Sequence, residues 1–239
     1  MTTKELFRSD SYLKTCEAKI IAIDERGVQF NQSVLYPHGG GQLGDQGLIV
    51  LSSGDAIDIT DTQKDKNTGE QLHLIDETQS ATLTVGDIVN VELNWERRCQ
   101  LMRFHTCLHL LCAIIDAPVN GGSIQLDRAR LDFDLKEPLD KVAITEQLNA
   151  HIKSNAAVSF RWISDAELDA QPDLVRTMSV APPRNADGTI RLVEIDGIDL
   201  QACGGTHVAA TGEIGPVMVR KIENKGKQNR RITVVAAGE

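Results

Sequence analysis

The chain has 239 residues, enough for one or two domains, and its 41% hydrophobic and 25% charged residues are typical of a globular protein with a buried core. Aromatic residues make up only 4%, so aliphatic side chains must fill that core. A net charge of −9 argues against a uniformly basic nucleic-acid-binding protein, and five cysteines without regular spacing argue against a disulfide framework.

The charge is unevenly distributed along the chain. Residues 1–95 carry 7 Lys and Arg against 15 Asp and Glu, whereas residues 96–239 carry 18 against 19. Charge alone leaves two interpretations of the C-terminal region open: a contact surface for a nucleic-acid backbone, or a solvated surface ribbon. This basic strip consists of Arg220, Lys221, Lys225, Lys227, Arg230 and Arg231.

Hydropathy predicts a protein without membrane segments. The first ten residues are too polar for a signal peptide, and the longest apolar run, around residues 108–115, is too short to cross a bilayer. Cysteines without a disulfide spacing favour free thiols in a reducing compartment. We therefore expect a cytoplasmic protein with no membrane partner, and the sequence leaves its oligomeric state open.

In chain order, the first 94 residues are predicted to form strands joined by turns. Turn signals include Gly27, the glycine run at 39–41 and Gly86. Short strands at this spacing are typical of a small, mostly antiparallel β-barrel, so residues 1–94 are predicted to be a barrel domain. The predicted strands cover residues 17–23, 26–30, 33–36, 47–52, 71–75 and 88–93.

The pattern changes at Trp95, because residues 95–116 contain no glycine or proline and place apolar side chains three or four positions apart. This pattern predicts a long helix. Residues 95–239 are predicted to be an α+β domain, with a long loop and candidate lid at 171–188. Its other predicted elements are a strand over 123–135, a helix over 139–156 and strands over 157–163, 189–195, 216–222 and 231–236.

Two pairs of potential metal ligands lie far apart in the sequence. His105 and His109 are four residues apart on the predicted helix, so they share one face. Cys203 and His207 have the same spacing, around two glycines that permit a close turn. Imidazole and thiolate are suitable zinc ligands, so these four residues are predicted to bind Zn²⁺.

The residues next to the ligands limit the class of site. An HExxH metalloprotease carries glutamate after its first histidine, and Thr106 stands there instead, which excludes that class. Four protein ligands can close a structural site, whereas a catalytic site keeps one position for water. The sequence leaves these two alternatives open.

Several motifs, in the same order along the chain, resemble the editing domain of alanyl-tRNA synthetase and the glycine-motif barrel that precedes it. The resemblance covers nearly the whole chain and leaves no room for an aminoacylation domain. The chain therefore resembles the free-standing AlaX-type editing proteins, and its length is similar to that of the medium-length type. The matching segments are residues 36–47, 94–111, 122–124, 130–134, 203–208, 211–215, 226 and 229–232.

This resemblance implies a function. The expected activity is zinc-dependent hydrolysis of tRNA(Ala) that has been mischarged with serine or glycine, with the basic strip on the acceptor-stem backbone. The bound metal would either activate water or orient the terminal adenosine. Two alternatives remain: a zinc-stabilised tRNA-binding module without turnover, and editing of Ser-tRNA(Thr).

The resemblance also implies that side chains with hydrogen-bonding groups recognise the serine hydroxyl, because a hydrophobic pocket discriminates weakly against an added hydroxyl. The candidates are Thr106, Asn120, Thr206 and Gln42. Thr206 could instead cap a turn, and Gln42 could fasten the barrel to the editing domain. Asn120 stands where many synthetase editing domains have glutamine.

The glycine-rich motif at Gly39, Gly40 and Gly41 has two interpretations. Three consecutive glycines are typical of a backbone that another group approaches closely, but they also suit a tight turn. Phosphate binding of the P-loop kind is disfavoured, because no Lys-Ser/Thr pair follows the glycines.

Overall fold

The computed structural model describes residues 2–178, 181–185 and 187–238. The chain divides into two compact units, Met1–Gln100 and Leu101–Glu239. The expected α+β class with mostly antiparallel sheets is confirmed. The predicted domain boundary between residues 94 and 95 stays a prediction. Among the described residues, no helix is both long and apolar enough to cross a membrane.

The first unit is built on a seven-stranded sheet with the order β6-β5-β9-β2-β3-β8-β7. All of its pairs are antiparallel, and a separate short pair, β1 with β4, is parallel. The elements are β1 (Lys4–Glu5), β2 (Thr15–Asp24), β3 (Gly27–Phe30), β4 (Gln32–Ser33), β5 (Gly47–Val50), β6 (Ala56–Ile59), β7 (Asp61–Lys64), β8 (Gln71–Leu74), α1 (Glu77–Ser80) and β9 (Ile88–Leu93).

The strands of the first unit follow the alternation of apolar and polar residues. In β2, Cys16, Ala18 and Ile20 are buried while the residues between them are exposed. Successive side chains of a strand point to opposite faces, so this pattern places one face of the sheet on the core. Val89 and Val91 of β9 lie in the same hydrophobic cluster.

The predicted barrel is wrong, because the sheet is open. Its two edge strands are β6 and β7, which follow each other along the chain with only Thr60 between them. A single residue cannot reverse the chain into an antiparallel hairpin. The backbone N–H of Thr60 also donates to Leu74 O (2.8 Å), so the chain passes directly into its pairing with β8.

A buried ion pair joins the first turn of helix α2 (Trp95–Ile114) to the sheet of the first unit. Arg98 and Asp45 are both 0% exposed, and Arg98 Nε donates to Asp45 Oδ2 (2.9 Å). The same carboxylate oxygen accepts from the Tyr36 backbone N–H (2.6 Å). The guanidinium also donates to the carbonyls of Ser11 (2.9 Å) and Val34 (2.7 Å), so most of its hydrogen-bonding capacity is satisfied.

The second unit contains a four-stranded sheet, β10-β11-β16-β15, and a three-stranded sheet, β12-β13-β14. After α2, its elements are β10 (Val119–Ile124), β11 (Ala129–Asp134), α3 (Lys141–Lys153), β12 (Val158–Ile163), α4 (Asp165–Asp169), β13 (Ile190–Ile195), β14 (Asp199–Ala202), β15 (Val217–Asn224) and β16 (Asn229–Ala236). The single strand predicted over 123–135 is wrong. A turn closed by Gln125 N–H to Arg128 O (2.8 Å) divides the segment into the β10–β11 hairpin.

The two faces of the three-stranded sheet carry different side chains. One face holds the hydrophobic cluster formed with α4, which includes Leu168, Ile190 and Leu192. Residues directly opposite each other on paired strands point to the same side. The register therefore places the following residues together on the other face, here called the Asp199 face: Phe160, Trp162, Arg191, Val193, Asp199 and Gln201.

The segment at 171–188, predicted as a long loop, contains one short 3-10 turn at Pro172–Leu174. Residues 179, 180 and 186 of this segment lie outside the described residues. The candidate lid at 171–188 stays a prediction.

His73 of β8 is a buried histidine of the first unit with both ring nitrogens hydrogen-bonded. Its Nδ1–H donates to Val28 O (3.0 Å), and its Nε2 accepts from the Ser33 hydroxyl (2.9 Å) and the Gln71 side-chain amide (3.3 Å). Complete burial lowers the pKa of His73 to about 4, although the hydrogen bond to Val28 opposes the shift. Because Nε2 accepts these hydrogen bonds, the network requires the neutral form of the His73 ring.

We predict that stability falls as the pH drops from about 6.5 to about 4, because only unfolded chains bind a proton at His73 in that window. Stability should be lost progressively as the pH falls through this window, on the order of 3 kcal/mol in total. His73→Asn should be less stable at pH 7 but lose this part of the pH slope. Urea unfolding between pH 7 and pH 4 measures both. The exposed His38→Asn is the control and should keep the native slope; equal slopes in all three proteins would contradict the prediction.

Candidate metal centre

Helix α2 supplies the first two potential ligands. The helix has no internal glycine or proline, and His105 and His109 lie one turn apart on the same face. Both side chains are buried, and their ring centroids are 5.4 Å apart. A regular helix therefore aims two imidazoles at the same point.

The loop that follows β14 supplies the other two. Cys203 Sγ lies 3.4 Å from His105 Nε2 and 3.3 Å from His207 Nε2. The His207 ring is 4.3 Å from that of His105 and 4.4 Å from that of His109, between centroids. One donor atom from each of the four residues lies within 4.8 Å of all the others. The structure thus brings together all four predicted ligands.

Asp199 and Gln201 hold the His109 ring in place from the Asp199 face of the sheet. His109 Nδ1–H donates to Asp199 Oδ2 (3.2 Å), which also accepts from the Gln201 side-chain amide (2.7 Å). A carboxylate on one ring nitrogen fixes the tautomer and leaves the other nitrogen with a lone pair for a metal. All three side chains are buried, so water does not compete for these hydrogen bonds.

Thr106 performs the same task for His207. With Nε2 of His207 facing the cluster, its Nδ1–H donates to Thr106 Oγ1 (3.1 Å), and the Val208 backbone N–H donates to the same oxygen (3.3 Å). The Thr106 side chain is 0% exposed. This hydroxyl therefore ties the helix to the ligand loop next to the ligand itself.

The loop is fixed at two further points. Arg191 Nη1 donates to Gly205 O (2.6 Å), and the Gly205 N–H points at Cys203 Sγ (3.5 Å). Beyond the ligands, Arg103 Nε of α2 donates to Ile214 O (2.8 Å). The backbone on both sides of His207 is thus held before any metal is considered.

Burial and neighbouring charges shift the pKa values of three of the four potential ligands. Burial alone would raise the pKa of Cys203, but the positive charges of His105 and His207 and hydrogen bonds from the imidazoles bring it well below its usual value. Burial lowers the pKa of His207, and the charges of His105 and His109 lower it further. Burial would also lower the pKa of His109, but hydrogen bonds to Asp199 and Cys203 raise it to about 9.

The donor set fits a borderline-soft divalent metal. Metal ligands must be deprotonated, and the cluster favours a thiolate at Cys203 and a neutral ring at His207. The raised pKa of His109 means that a metal would have to displace a proton from that ring near neutral pH. Three imidazoles and one thiolate are donors typical of zinc sites. Cys107 and Cys112 of α2 are buried outside this group, where they pack as small core residues.

Comparisons with known proteins match segments of both units. Residues 190–233 match the family described as threonyl and alanyl tRNA synthetase second additional domain, and residues 6–97 match tRNA synthetases class II (A). The alanyl-tRNA editing protein AlaX-M of Saccharolobus solfataricus is 34% identical over 96% of this chain and 97% of its own length. That of Methanosarcina barkeri is 36% identical, with 96% and 97% covered.

The chain belongs to the AlaX-M family of alanyl-tRNA editing proteins. It is also 32% identical to the alanine–tRNA ligase of Saccharolobus islandicus strain L.S.2.15, over 92% of this chain but 25% of that enzyme. The resemblance inferred from the motifs is thus confirmed.

The other residues expected to act in an AlaX-M site have different surroundings. Thr206 is 0% exposed and lies between Gly205 and the ligand His207. Asn120 is exposed at the irregularity of β10. Gln42 is 0% exposed and belongs to the first unit. Their predicted roles stay predictions.

The glycine-rich motif forms a tight turn in this structure. Gly39 and Gln42 exchange two backbone hydrogen bonds (3.1 and 2.9 Å), and Gly40 and Gly41 between them have φ values of 57° and 84°. Two positive φ values in the middle of such a turn require glycine or a short polar residue. The Tyr36 hydroxyl donates to Gly39 O (2.8 Å) and fastens the turn to its own unit.

Within the basic strip, neighbouring carboxylates already pair with part of the positive charge, so only the rest can bind an external anion. Arg231 makes two 2.7 Å hydrogen bonds to Asp132, and Lys221 and Lys225 both pair with Glu223 (2.9 and 3.3 Å). Arg230 donates to the carbonyls of Lys136 and Glu137. In the part of the chain that the structure describes, the exposed Arg220 and Lys227 form no ion pair.

Sequence reasoning missed Asp199, Gln201 and Arg191, which support the ligands. A signal for two of them exists: residues 199, 201 and 203 alternate along one strand and its extension, so they point to the same side. Arg191 gives no such signal, because only the pairing of β13 with β14 brings its side chain to Gly205 O.

We predict that Asp199→Asn weakens metal binding by about 10- to 100-fold, because the amide no longer fixes the His109 tautomer. The measurement is a zinc titration against a chelator of known affinity, with circular dichroism to confirm the fold. Asp196→Asn, an exposed carboxylate of the same β13–β14 turn, is the matched control and should bind as the native protein does. Equal affinities for both variants would refute this support.

Proposed function

We propose that this chain is a trans-editing hydrolase that deacylates chiefly tRNA(Ala) mischarged with serine, with zinc at His105, His109, Cys203 and His207. Gly-tRNA(Ala) is the secondary substrate and reacts more slowly, because the glycyl ester also lacks the hydroxyl. One observation carries the proposal. Four donor atoms, from three buried histidines and the partly exposed Cys203, lie within 4.8 Å of one another in a chain that matches a free-standing editing protein along 97% of its length. The relatives that it matches in this way are named alanyl-tRNA editing proteins.

The reaction is hydrolysis of the ester that joins the amino acid to the terminal ribose. Water adds to the carbonyl carbon, the bond to the ribose oxygen breaks, and that oxygen takes a proton, which releases serine and the intact tRNA. A zinc ion held by the four residues would supply a Lewis acid that activates water or orients the substrate. The residues around it fix the His109 and His207 rings through Asp199 and Thr106.

Selectivity requires side chains that hydrogen-bond the serine hydroxyl. Alanyl ester would leave those groups unpaired, which disfavours its transition state. Thr106, Thr206, Asn120 and Gln42 remain the candidates. The contacts of Thr106 support a positioning role through His207, whereas the exposure of Asn120 suits direct contact with substrate.

For tRNA, we propose that the basic strip contacts the acceptor-stem backbone. The ion pairs indicate that the cations of the basic strip contribute unequally to tRNA binding. Arg220 and Lys227 are the main phosphate contacts. The guanidinium of Arg231 is already held by two hydrogen bonds to Asp132, a carboxylate that it shares with Arg130. Lys221 and Lys225 share one carboxylate, so together they retain about one positive charge.

Two other functions have support from particular observations. Four protein donors are enough to close a zinc site, which suits a structural metal in a tRNA-binding module without turnover. The matching family model is described for both threonyl and alanyl synthetases, which keeps Ser-tRNA(Thr) as a substrate.

We expect fast deacylation of Ser-tRNA(Ala) and at least about 100-fold slower deacylation of Ala-tRNA(Ala), because the alanyl ester lacks the hydroxyl. Chelation should abolish the activity and zinc should restore it. Release of labelled amino acid from each charged tRNA measures these rates, with Gly-tRNA(Ala) and Ser-tRNA(Thr) as further substrates.

Cys203→Ala tests the site itself, with Cys99→Ala, a partly exposed cysteine on the same helix as the histidines, as control. Loss of turnover in a folded Cys203 variant that still binds tRNA supports a catalytic site. No turnover by the folded, zinc-loaded native protein on any of the four substrates would leave only the binding module.

We also predict that Arg220→Ala and Lys227→Ala each weaken tRNA binding and lower the salt slope of log K by about 1, because each removes one phosphate contact. Arg231→Ala should mainly lower the unfolding temperature, because Asp132 then keeps only its longer contact to Arg130 (3.2 Å). Filter binding at several salt concentrations measures the slopes, with the exposed Lys19→Ala of the acidic unit as control. A folded Arg231 variant with the same loss of slope as Arg220→Ala would overturn this assignment.

A further inference from the structure

Strand β12 presents two aromatic side chains at the surface of a protein that has few of them. Phe160 is 41% exposed, and Trp162, two residues further on, is partly exposed. Their ring centroids are 6.5 Å apart at an interplanar angle of 78°. Because they are two residues apart on a strand, both rings point to the Asp199 face.

The rings do not belong to the hydrophobic cluster of that sheet. The cluster occupies the opposite face, where Ile163 of the same strand packs against Ile190 and Leu168. An exposed aromatic pair outside the core leaves apolar ring faces available for contact with another molecule.

A buried cation connects the aromatic pair to the metal centre. The guanidinium carbon of Arg191 lies 4.7 Å from the Phe160 ring centroid, and Arg191 Nη1 donates to Gly205 O in the ligand loop. Arg191 is only 3% exposed. A cation–π contact of this kind holds the ring in a fixed position relative to Cys203 and His207.

The register of the sheet sets the separation between the two sites. Just beyond β14, the backbone N–H of the ligand Cys203 donates to Arg191 O of β13 (3.1 Å), and Arg191 is paired with Trp162 of β12. Two strand spacings separate β14 from β12 by roughly 10 Å. A nucleoside esterified on its ribose can cover that separation, with the base at one end and the ester at the other.

We infer that Phe160 and Trp162 form a stacking platform for the purine base of the 3′-terminal adenosine, which places the ester at the metal centre. The inference rests on the proposed function and gives it a subsite for the base. Every base has a π-face, and aromatic side chains recognise unpaired terminal bases by stacking on them. The cation beneath Phe160 pre-orients the ring, so little of its conformational freedom is lost on binding.

Tryptophan fluorescence tests base binding directly. The chain has two tryptophans, so Trp95→Phe leaves Trp162 as the single reporter. We expect adenosine 5′-monophosphate to quench it in a saturable way and uridine 5′-monophosphate to do so more weakly, because a purine stacks over a larger area. Phe160→Ala in this background should abolish the saturable quenching. Saturable quenching that persists without Phe160, or none in the protein that retains it, would overturn the platform.

Kinetics on charged tRNA give a second test. Phe160→Ala should raise the KM for Ser-tRNA(Ala) roughly 5- to 150-fold, the range expected for loss of one stacked base, with a smaller effect on kcat. Phe160→Tyr keeps the ring and should restore the native KM, whereas Phe160→Leu keeps only apolar bulk and should not. Val85→Ala removes a 56% exposed apolar side chain of the first unit and is the control. Equal KM values for the tyrosine and leucine variants would contradict stacking.

The outcomes separate this inference from the proposed function. Native deacylation with an unchanged KM in Phe160→Ala would refute the platform and leave the function standing. Quenching by the adenosine nucleotide without deacylation of any charged tRNA would refute the function and leave a purine site. If Phe160→Ala instead converts a dimer into a monomer by light scattering and leaves KM unchanged, the aromatic edge strand joins two copies, and the platform is wrong.

Discussion

The second unit depends on holding three imidazoles and one thiolate within 4.8 Å of one another in a buried volume. Polar groups removed from water are unfavourable unless other groups compensate for the lost hydration. Here the compensation comes from Asp199 on His109, from Thr106 on His207 and from a backbone N–H on Cys203. These supports leave the inner nitrogens of His109 and His207 directed at the centre, so a cation is the partner that completes the cluster. Because α2 and the ligand loop meet only in the folded unit, metal binding and folding of this unit are coupled.

The ligands were predictable because each pair is local in sequence. His105 and His109 are four residues apart on a helix, and Cys203 and His207 are four residues apart around two glycines, so the spacing predicts the geometry within each pair. The motif resemblance indicates that the two pairs belong to one site. Features that depend on pairing between distant segments were predicted less well. The prediction of a barrel was wrong because open and closed sheets share the same alternation of apolar and polar residues. Only the strand pairing shows that β6 continues directly into β7 at the opposite edge of the sheet. The hairpin at Gln125–Arg128 was missed because alternation continues through its turn. Arg191 was missed because its hydrogen bond to Gly205 joins β13 to the loop after β14, a contact that depends on strand pairing.

Formal charge is a poor measure of how the basic strip interacts with a polyanion. Six cations in 12 residues suggest a strong field, but the sheet places Asp132 beside Arg231 and Glu223 between two lysines. Arg231 then stabilises the β11–β16 pair, as its register opposite Asp132 requires. The pKa of Asp132 is correspondingly low: burial opposes the shift, and the hydrogen bonds and charge of Arg231 and Arg130 outweigh it. A protein with a net charge of −9 repels tRNA at long range, so the few unpaired cations must act at short range and define where the backbone can lie.

The register of the three-stranded sheet couples stability to function. Residues at even positions on β14, Leu200 and Ala202, contact the hydrophobic cluster, while Asp199 and Gln201 face the metal ligands. A shift of one residue would exchange the two sets, placing apolar side chains at His109 and carboxylate in the core. The hydrophobic cluster that opposes this shift therefore also fixes the tautomer of a metal ligand from the other face of the sheet. The same register sets Phe160 opposite Val193 and Trp162 opposite Arg191, so the aromatic pair and the metal centre keep a constant separation for as long as the core face stays buried.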